Sequence, residues 1–198
     1  MIGQINLDSE FGKQLYTLAK QPDIKTIVEI GTWNGCGSTK CIASGLIESK
    51  ETKTFISLET NNDMFIQAQQ NLTDAEKTVT TLIRGRITEF YDLVWLKDFT
   101  LGPEQQRWLW EDIAWYKDCP FVLDQIPEQI DLLLLDGGEF TTVPEFKALK
   151  NRYKLVALDD TRALKTKSIH EYLLQKTDHE LIASGDERNG FSIFRKRE

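Results

Sequence analysis

The chain has 198 residues, of which 40% are hydrophobic and 28% are charged. This size and composition fit one globular domain with a sizeable core and exclude an intrinsically disordered chain. The formal net charge of −7 excludes a surface that binds the phosphate backbone of nucleic acid as a whole.

The sequence carries no signal for a membrane or for an oxidising compartment. No stretch approaches the roughly 20 apolar residues that span a bilayer, and residues 1–20 lack the apolar core of a signal peptide. Cys36, Cys41 and Cys119 form no paired framework and no C-x-x-C motif. We therefore expect a single domain over residues 1–198, located in the cytoplasm, with no membrane partner.

Short apolar runs, bounded by glycine or polar residues, alternate with helical patterns along the chain. Nearly continuous apolar strands are typical of a parallel sheet covered on both faces. The predicted strands are residues 26–30, 54–58, 79–83, 131–135 and 154–158. Apolar residues at helical spacing lie between them: Phe11, Leu15 and Leu18; Ile42, Ala43 and Leu46; Met64, Phe65 and Ala68; Phe146 and Leu149 behind Pro144; and Ile169, Tyr172 and Leu173.

The end of the chain breaks this alternation. Residues 180–183 and 191–195 read as two strands joined by a polar, glycine-containing loop, with no helix between them. An antiparallel strand appended to a parallel sheet is the simplest explanation. The pattern as a whole predicts an α/β fold with a doubly wound, mostly parallel, seven-stranded, Rossmann-like sheet and an antiparallel terminal hairpin.

Residues 91–127 form an insertion that does not follow the alternation. A helix start is predicted at Gly102-Pro103-Glu104, and one arc of that helix is rich in aromatic and apolar residues. We expect this arc to pack on the sheet; a cap over a ligand cleft and a dimer surface are the alternatives. The arc contains Trp108, Leu109, Ile113, Trp115 and Tyr116, whereas Trp110 lies off it and Trp95 precedes the helix.

A glycine-rich turn and two acidic residues mark the ends of the first two strands. Gly31, Gly35 and Gly37 read G-x-x-x-G-x-G, which differs from the G-x-G-x-x-G dinucleotide fingerprint. Such a turn lets a ligand approach the backbone and the helix N-terminus. Glu59 closes the second strand, where a carboxylate can accept hydrogen bonds from both ribose hydroxyls. The alternatives are a solvated strand end for Glu29 and a helix N-terminal charge for Glu59.

With these motifs the chain resembles the class I S-adenosylmethionine (SAM) methyltransferases. The resemblance covers residues 10–195 and comprises E-x-G-x-x-x-G after the first strand, the acid Glu59, Asp136-Gly137 after the fourth strand and the terminal hairpin. The segment from Glu29 to Gly35 is most similar to small-molecule O-methyltransferases of the catechol, caffeoyl-CoA, macrocin and cephalosporin-hydroxylase-associated types.

The resemblance implies SAM as cofactor and methyl transfer to a hydroxyl of a small molecule or sugar. It places Glu29 beside the methionine end of SAM, Glu59 at the ribose and the segment after the third strand at the adenine. Asp136 would face the methyl-transfer side. The implied cofactor-binding residues are Glu29, Gly31, Thr32, Trp33, Asn34, Gly35, Ser38, Glu59, Gly85, Arg86 and Asp136.

The same resemblance allows Mg²⁺ as a second cofactor. Several of these enzymes bind it with an Asp after strand four and an acidic pair after strand five, where this chain has Asp136, Asp159 and Asp160. Oxygen ligands of this kind suit Mg²⁺ or Ca²⁺, and a metal would lower the pKa of the attacking hydroxyl. The alternative is that Asp159 or Asp160 caps the last helix and that Asp136 belongs to the SAM pocket alone.

One position departs from the family pattern. Three residues after Asp136, where these enzymes often have a Lys or His base, this chain has Glu139. A carboxylate can act as the base if a dry cleft raises its pKa, so the implied catalytic residues are Asp136 and Glu139.

Three other functions remain open. The Glu139 departure leaves room for a non-catalytic SAM-fold binding protein. An NAD-dependent or nucleotide-sugar oxidoreductase is disfavoured by the missing fingerprint and by the hairpin. Methyl transfer to nucleic acid is disfavoured by the acidic charge and by the lack of an N/D-P-P-Y/F tetrapeptide after strand four.

Overall fold

The computed structural model of the chain describes residues 5–49, 51–89 and 100–197. The strands are β1 (Thr26–Ile30), β2 (Thr54–Glu59), β3 (Thr81–Arg84), β4 (Ile130–Leu135), β5 (Tyr153–Asp159), β6 (His179–Gly185) and β7 (Phe191–Lys196). The helices are α1 (Glu10–Lys20), α2 (Ser38–Ser49), α3 (Asn62–Asn71), α4 (Asp74–Val79), α5 (Pro103–Lys117), α6 (Thr142–Leu149) and α7 (Leu164–Leu174), with a short 3-10 helix at Leu123–Gln125.

All seven strands join one sheet in the order β3-β2-β1-β4-β5-β7-β6. The first five strands of this order are parallel, and β7 pairs antiparallel with both β5 and β6. This confirms the predicted fold class, including the terminal hairpin. After β1 the chain continues to β2 on one side of it, while β4 lies on its other side. In a parallel sheet a crevice is expected where the strand order reverses in this way, here at the carboxyl ends of β1 and β4.

The core lies on both faces of the sheet, which explains why apolar residues in the central strands do not simply alternate with polar ones. All six residues of β4 are buried. Leu132 and Leu134 pack in the cluster that contains Leu15 of α1 and Ile42 of α2, whereas Leu133 packs in the cluster of the opposite face. Because parallel strands covered on both faces end at the same edge, polar residues at their carboxyl ends converge there.

The predicted third strand was wrong at its start. Residues 79–83 were expected to be extended, but Val79 ends helix α4 and β3 begins at Thr81. A capping box explains the helix: Thr73 Oγ1 accepts a hydrogen bond from the Glu76 backbone N, and Glu76 Oε2 accepts one from the Thr73 backbone N at 2.7 Å. This Thr-x-x-Glu pattern is a helix-start signal.

Helix α5 begins at Pro103, as predicted, and its buried Ile113 packs against Phe140 in a small cluster separate from the cores on the two faces of the sheet. Ile113 and Tyr116 are buried and Trp110 is 68% exposed, as their positions on and off the arc indicate, but Trp108, which lies on the arc, is exposed as well. Residues 90–99, including Trp95, lie outside the described ranges. The dimer surface stays a prediction.

Within the described ranges, no helix combines the length and the apolar character that a membrane crossing requires.

Candidate functional site

A cavity opens at the carboxyl edge of the sheet, over β1, β2 and β4. It holds about 600 Å³ of free space, counting its open mouth. Its walls come from the loops that follow these strands and β3, from α5 and from the start of α6. The lining residues are Ile30, Gly31, Trp33, Leu58, Glu59, Thr60, Gly85, Ile87, Asp112, Trp115, Asp136, Gly137, Gly138, Thr141 and Glu145.

Gly31 brings the loop after β1 directly against the loop after β4. Its φ is 99°, and a Cβ atom there would lie 2.1 Å from the carbonyl oxygen of Asp136. No side chain fits this contact, so glycine is required here. The backbone N–H groups of Gly31 and Thr32 both donate to the carbonyl oxygen of Leu58 at 3.0 Å, which ties β2 into the same junction.

Glu59 forms the wall of the cavity at the end of β2. Its Oε2 accepts a hydrogen bond from the Trp33 backbone N at 2.6 Å, and its Oε1 accepts one from Asn61 N at 2.8 Å. Burial raises the pKa of Glu59, and the N–H groups of Asn61 and Trp33 counteract this. Because a carboxylate has about four acceptor positions, the fixed group can still accept further hydrogen bonds from a ligand.

Glu29 lies beneath the glycine turn and does not line the cavity. It is fully buried, with Ser38 Oγ donating to Oε1 at 2.5 Å and Thr39 Oγ1 to Oε2 at 2.7 Å, while Ser57 Oγ also donates to Oε2. Burial raises the pKa of Glu29 to about 7. Glu29 and Ser38 therefore join α2 and β2 to β1, and the solvated strand end considered for Glu29 is excluded.

Three other residues implied at the glycine turn support it from outside the cavity. Thr32 Oγ1 lies 2.5 Å from Ser57 Oγ, and Asn34 Oδ1 accepts a hydrogen bond from Cys36 N at 3.1 Å. Gly35 packs on α3, where a Cβ atom would lie 3.1 Å from Ala68 Cα. Of the residues implied for this turn, Gly31 and Trp33 line the cavity.

Arg86 points away from the cavity, although Gly85 lines it. The Arg86 guanidinium donates to the carbonyl oxygens of Cys119 at 3.1 Å and Thr88 at 2.8 Å, and it pairs with Glu89. It therefore anchors the segment before β4 to the loop after β3. These hydrogen bonds and the ion pair hold the Arg86 guanidinium outside the cavity.

Glu139 also lies outside the cavity. Its Oε1 accepts a hydrogen bond from the Leu164 backbone N at 3.0 Å, which places the carboxylate at the start of α7. Burial raises the pKa of Glu139, and Lys165 acts in the opposite direction. The structure thus gives Glu139 a helix-capping contact, and the base role implied for it stays a prediction.

Two acidic residues that sequence reasoning missed do line the cavity. Asp112 of α5 accepts a hydrogen bond from Phe140 N at 3.3 Å, and Glu145 of α6 accepts one from the Tyr116 hydroxyl at 2.5 Å. Glu145 Oε2 is buried and has no hydrogen-bond partner among the described residues. Burial raises the pKa of both groups to about 7. The cavity therefore has an acidic wall that can hold or release protons near neutrality.

Several solved structures share this architecture. An O-methyltransferase from Bacillus cereus in complex with S-adenosylhomocysteine (SAH) matches with a TM-score of 0.62 at 14% sequence identity, over 99% of this chain and 84% of that one. A methyltransferase from Geobacter sulfurreducens matches with a TM-score of 0.62 at 15% identity, over 98% and 81% of the two chains. The fold is that of the class I methyltransferases.

The same fold also serves other acceptors. An rRNA methylase from Streptococcus thermophilus matches with a TM-score of 0.56 at 12% identity, over 94% of this chain and 95% of that one. No protein-family model matches the sequence, and a search of curated proteins finds no sequence match. These matches therefore show that the chain has the methyltransferase fold. O-methyltransferases are among the structures that share it, in agreement with the predicted resemblance.

The three aspartates implied as metal ligands do converge beside the cavity. Asp136, Asp159 and Asp160 each offer an oxygen within 4.8 Å of the others. A cation of the protein already lies among them, because Lys165 Nζ is 2.6 Å from Asp136 Oδ1 and 2.8 Å from Asp160 Oδ2. As folded, these residues do not fit a divalent ion in addition to the ammonium group.

Proposed function

We propose that the protein is a SAM-dependent methyltransferase that methylates a hydroxyl group of a small molecule or sugar. The observation that carries this proposal is the cavity at the edge of β1, β2 and β4, with the rigid Glu59 carboxylate on its wall and Gly31 on its floor. A carboxylate at the end of the second strand of such a sheet suits the two hydroxyls of a ribose.

The charge of the cavity supports a cationic cofactor. Its walls include the carboxyl groups of Glu59, Asp112 and Glu145, besides that of Asp136, which is paired with Lys165. SAM carries a sulfonium and an ammonium group against one carboxylate, so the cavity and SAM are complementary in charge. Its product SAH has lost the sulfonium charge, so the same wall favours exchange of product for fresh cofactor.

The apolar part of the cavity supports the placement of the adenine. Ile87 and Trp115 line it beside Gly85, which follows β3. A flat aromatic side chain and an aliphatic one form a suitable slot for a purine ring. The ribose on Glu59 and the adenine beside Ile87 then leave the sulfonium end near Asp136 and Gly137.

In the proposed reaction the chain supplies position and proton uptake. Bound SAM supplies an activated methyl group, and alignment of acceptor oxygen, methyl carbon and sulfur accounts for much of the acceleration. As the carbon–oxygen bond forms, the carbon–sulfur bond breaks and the hydroxyl proton leaves. Asp136 orients the acceptor, and Asp112, whose pKa burial raises to about 7, accepts the proton, because a base works best with a pKa near the working pH.

A hydroxyl acceptor is supported by the similarity to O-methyltransferases and by this proton-accepting wall. A small acceptor is supported by α5, which carries Asp112 and Trp115 over the cavity and limits its size. Methyl transfer to RNA is disfavoured by the net charge of −7, because the phosphate backbone attracts basic proteins.

Thermal unfolding with SAM, SAH or NAD tests the cofactor. A ligand at about 100 times its Kd adds about 2.7 kcal/mol of stability, which raises Tm by several degrees in a domain of this size. We expect such a shift with SAM and SAH and none with NAD. A shift with NAD alone would overturn the proposal in favour of an oxidoreductase.

Release of SAH in the presence of phenols, catechols and sugars then tests the activity. We expect turnover with a hydroxyl compound and its loss when that hydroxyl is already methylated. SAM binding without turnover on any such compound would instead support a non-catalytic binding protein.

A further inference from the structure

The ammonium group of Lys165 lies where a metal would bridge the acidic residues that follow β4 and β5. Lys165 is only 8% exposed and comes from the first turn of α7. Its Nζ contacts one oxygen of Asp136, at 2.6 Å, and one of Asp160, at 2.8 Å. Lys165 therefore links the end of β4 to the end of β5 by contacting the carboxylate that follows each strand, as a bridging cation does.

A second cation completes the charge pairing. Arg188, in the loop between β6 and β7, lies 3.1 Å from Asp159 Oδ2 and 3.3 Å from Asp160 Oδ1. Asn189 Nδ2 donates to Asp160 Oδ1 at 3.1 Å. Three carboxyl groups thus face two protein cations and an amide, so the buried negative charge is largely neutralised by the chain itself.

A divalent ion would have to displace this ammonium. Mg²⁺ requires oxygen ligands at about 2.0–2.1 Å in an octahedral arrangement, whereas the oxygens of Asp136 and Asp160 are already spaced around Nζ. Moving Lys165 away would leave a buried ammonium without its partners, which is strongly unfavourable. The family resemblance predicts a metal from the three acids alone, and Lys165 lies outside that motif.

We propose that Lys165 is a built-in cation that replaces the divalent metal of this site, so that the protein works without one. In this role Lys165 is a positioning residue: it holds the Asp136 side chain at the edge of the cavity through their hydrogen bond. The inference rests on the proposed function only for the catalytic use of Asp136. Occupancy of the cation position by Lys165 can be tested without SAM or an acceptor.

The test measures binding of Mn²⁺ to the purified protein. The electron paramagnetic resonance signal of free Mn²⁺ reports how much of the ion remains unbound. The wild type is expected to show no saturable binding at this site. Lys165→Ala vacates the ammonium position and leaves three carboxyl groups facing Arg188. It should therefore gain saturable Mn²⁺ binding, with an apparent Kd at least about tenfold below the highest Mn²⁺ concentration at which the wild type shows none. Lys165→Gln, which keeps the length of the side chain, is a second variant in case the alanine form does not fold.

The matched control is Lys167→Ala, which removes an exposed lysine two residues further along the same helix. It should bind Mn²⁺ as the wild type does. Adding Asp160→Asn to Lys165→Ala should abolish the gained binding. Saturable binding to the wild type that is lost in Asp160→Asn would overturn the inference, as would a folded Lys165→Ala protein that gains no binding.

SAM binding and methyl transfer are measured separately. If the SAM thermal shift is absent but Lys165→Ala gains Mn²⁺ binding, the proposed function fails while the assignment of Lys165 stands. If methyl transfer occurs and is abolished by a chelator, the metal-independent reaction is refuted even though the function is confirmed.

Discussion

Replacement of Glu59 by alanine tests the part of the site that recognises the cofactor. In the proposed complex the carboxylate accepts hydrogen bonds from both ribose hydroxyls. Hydrogen bonds to a charged group contribute roughly 1.5–3 kcal/mol each, so losing two of them should weaken SAM binding by about 3 kcal/mol or more. At 1.4 kcal/mol per factor of ten, this raises the Kd about a hundredfold.

The same substitution also loosens the glycine turn. Glu59 accepts the backbone N–H groups of Trp33 at 2.6 Å and Asn61 at 2.8 Å. The exposed neighbourhood of Trp33 lets water replace part of this loss, so the free energy of unfolding should fall by only about 1 kcal/mol. The protein should therefore remain folded while its SAM affinity collapses.

Isothermal titration with SAM at neutral pH, together with urea unfolding, separates these two effects. Asp63→Ala is the control, because Asp63 is an exposed acid in the first turn of α3, four residues further along the chain. Its SAM affinity should equal that of the wild type. A folded Glu59→Ala protein that binds SAM as tightly as the wild type would refute the ribose assignment.

Three further predictions concern the turn and the acidic wall. Gly31→Ala should destabilise the protein by about 1–3 kcal/mol and abolish SAM binding, because the φ of Gly31 is 99° and the new Cβ would lie 2.1 Å from a carbonyl oxygen. Gly102→Ala is the control in urea unfolding, since a Cβ there would meet only a side-chain atom, at 3.9 Å. Asp112 and Glu145 have pKa values raised to about 7, so the stability that they contribute is complete below their ordinary pKa values and is lost as the pH rises through about 7. SAM affinity, measured across this range, should rise as the two carboxyl groups ionise, and a flat profile would contradict the acidic wall. Asp112→Asn should lower the rate of SAH formation much more than Glu139→Gln, and the reverse order would return the base role to Glu139.

The position of the cavity could be predicted from the sequence because it depends on where strands end. Glu59 is the last residue of β2, and Asp136 immediately follows β4. β2 and β4 flank β1 in one parallel sheet and their carboxyl ends lie at the same edge, so both acids line the same cavity. Asp136, Asp159 and Asp160 converge for the same reason at the ends of β4 and β5.

The direction of a side chain could not be predicted in the same way. Glu29 is one residue inside the end of β1 and turns into the protein, where three hydroxyls satisfy it. Arg86 and Glu139 lie in loops, and each is directed by a backbone partner that is distant in sequence: Cys119 for Arg86 and Leu164 for Glu139. Motif spacing locates such residues near a ligand, whereas contacts from other elements decide what they face.

The spacing of the sequence does contain a signal for three of the residues in and beside the cavity, Asp112, Glu145 and Lys165. Each occupies a helical position that its apolar neighbours predict to be buried: Asp112 lies four residues before Tyr116, Glu145 four before Leu149 and Lys165 four before Ile169. A charged residue in a buried stripe needs a partner, a ligand or a shifted pKa, because an isolated buried charge is too costly.

The sequence pattern does not show which residue a buried charge pairs with, and that pairing decides whether an acidic motif is free to bind a metal. Lys165 finds Asp136 across 29 positions of sequence, a pairing that requires α7 to start at the ends of β4 and β5. Three converging carboxylates alone indicate a metal site. A lysine on the buried stripe of the helix that begins beside them supplies one of the missing positive charges from within the chain. Cations on the adjoining helices must therefore be counted before a cluster of acids is assigned to a metal.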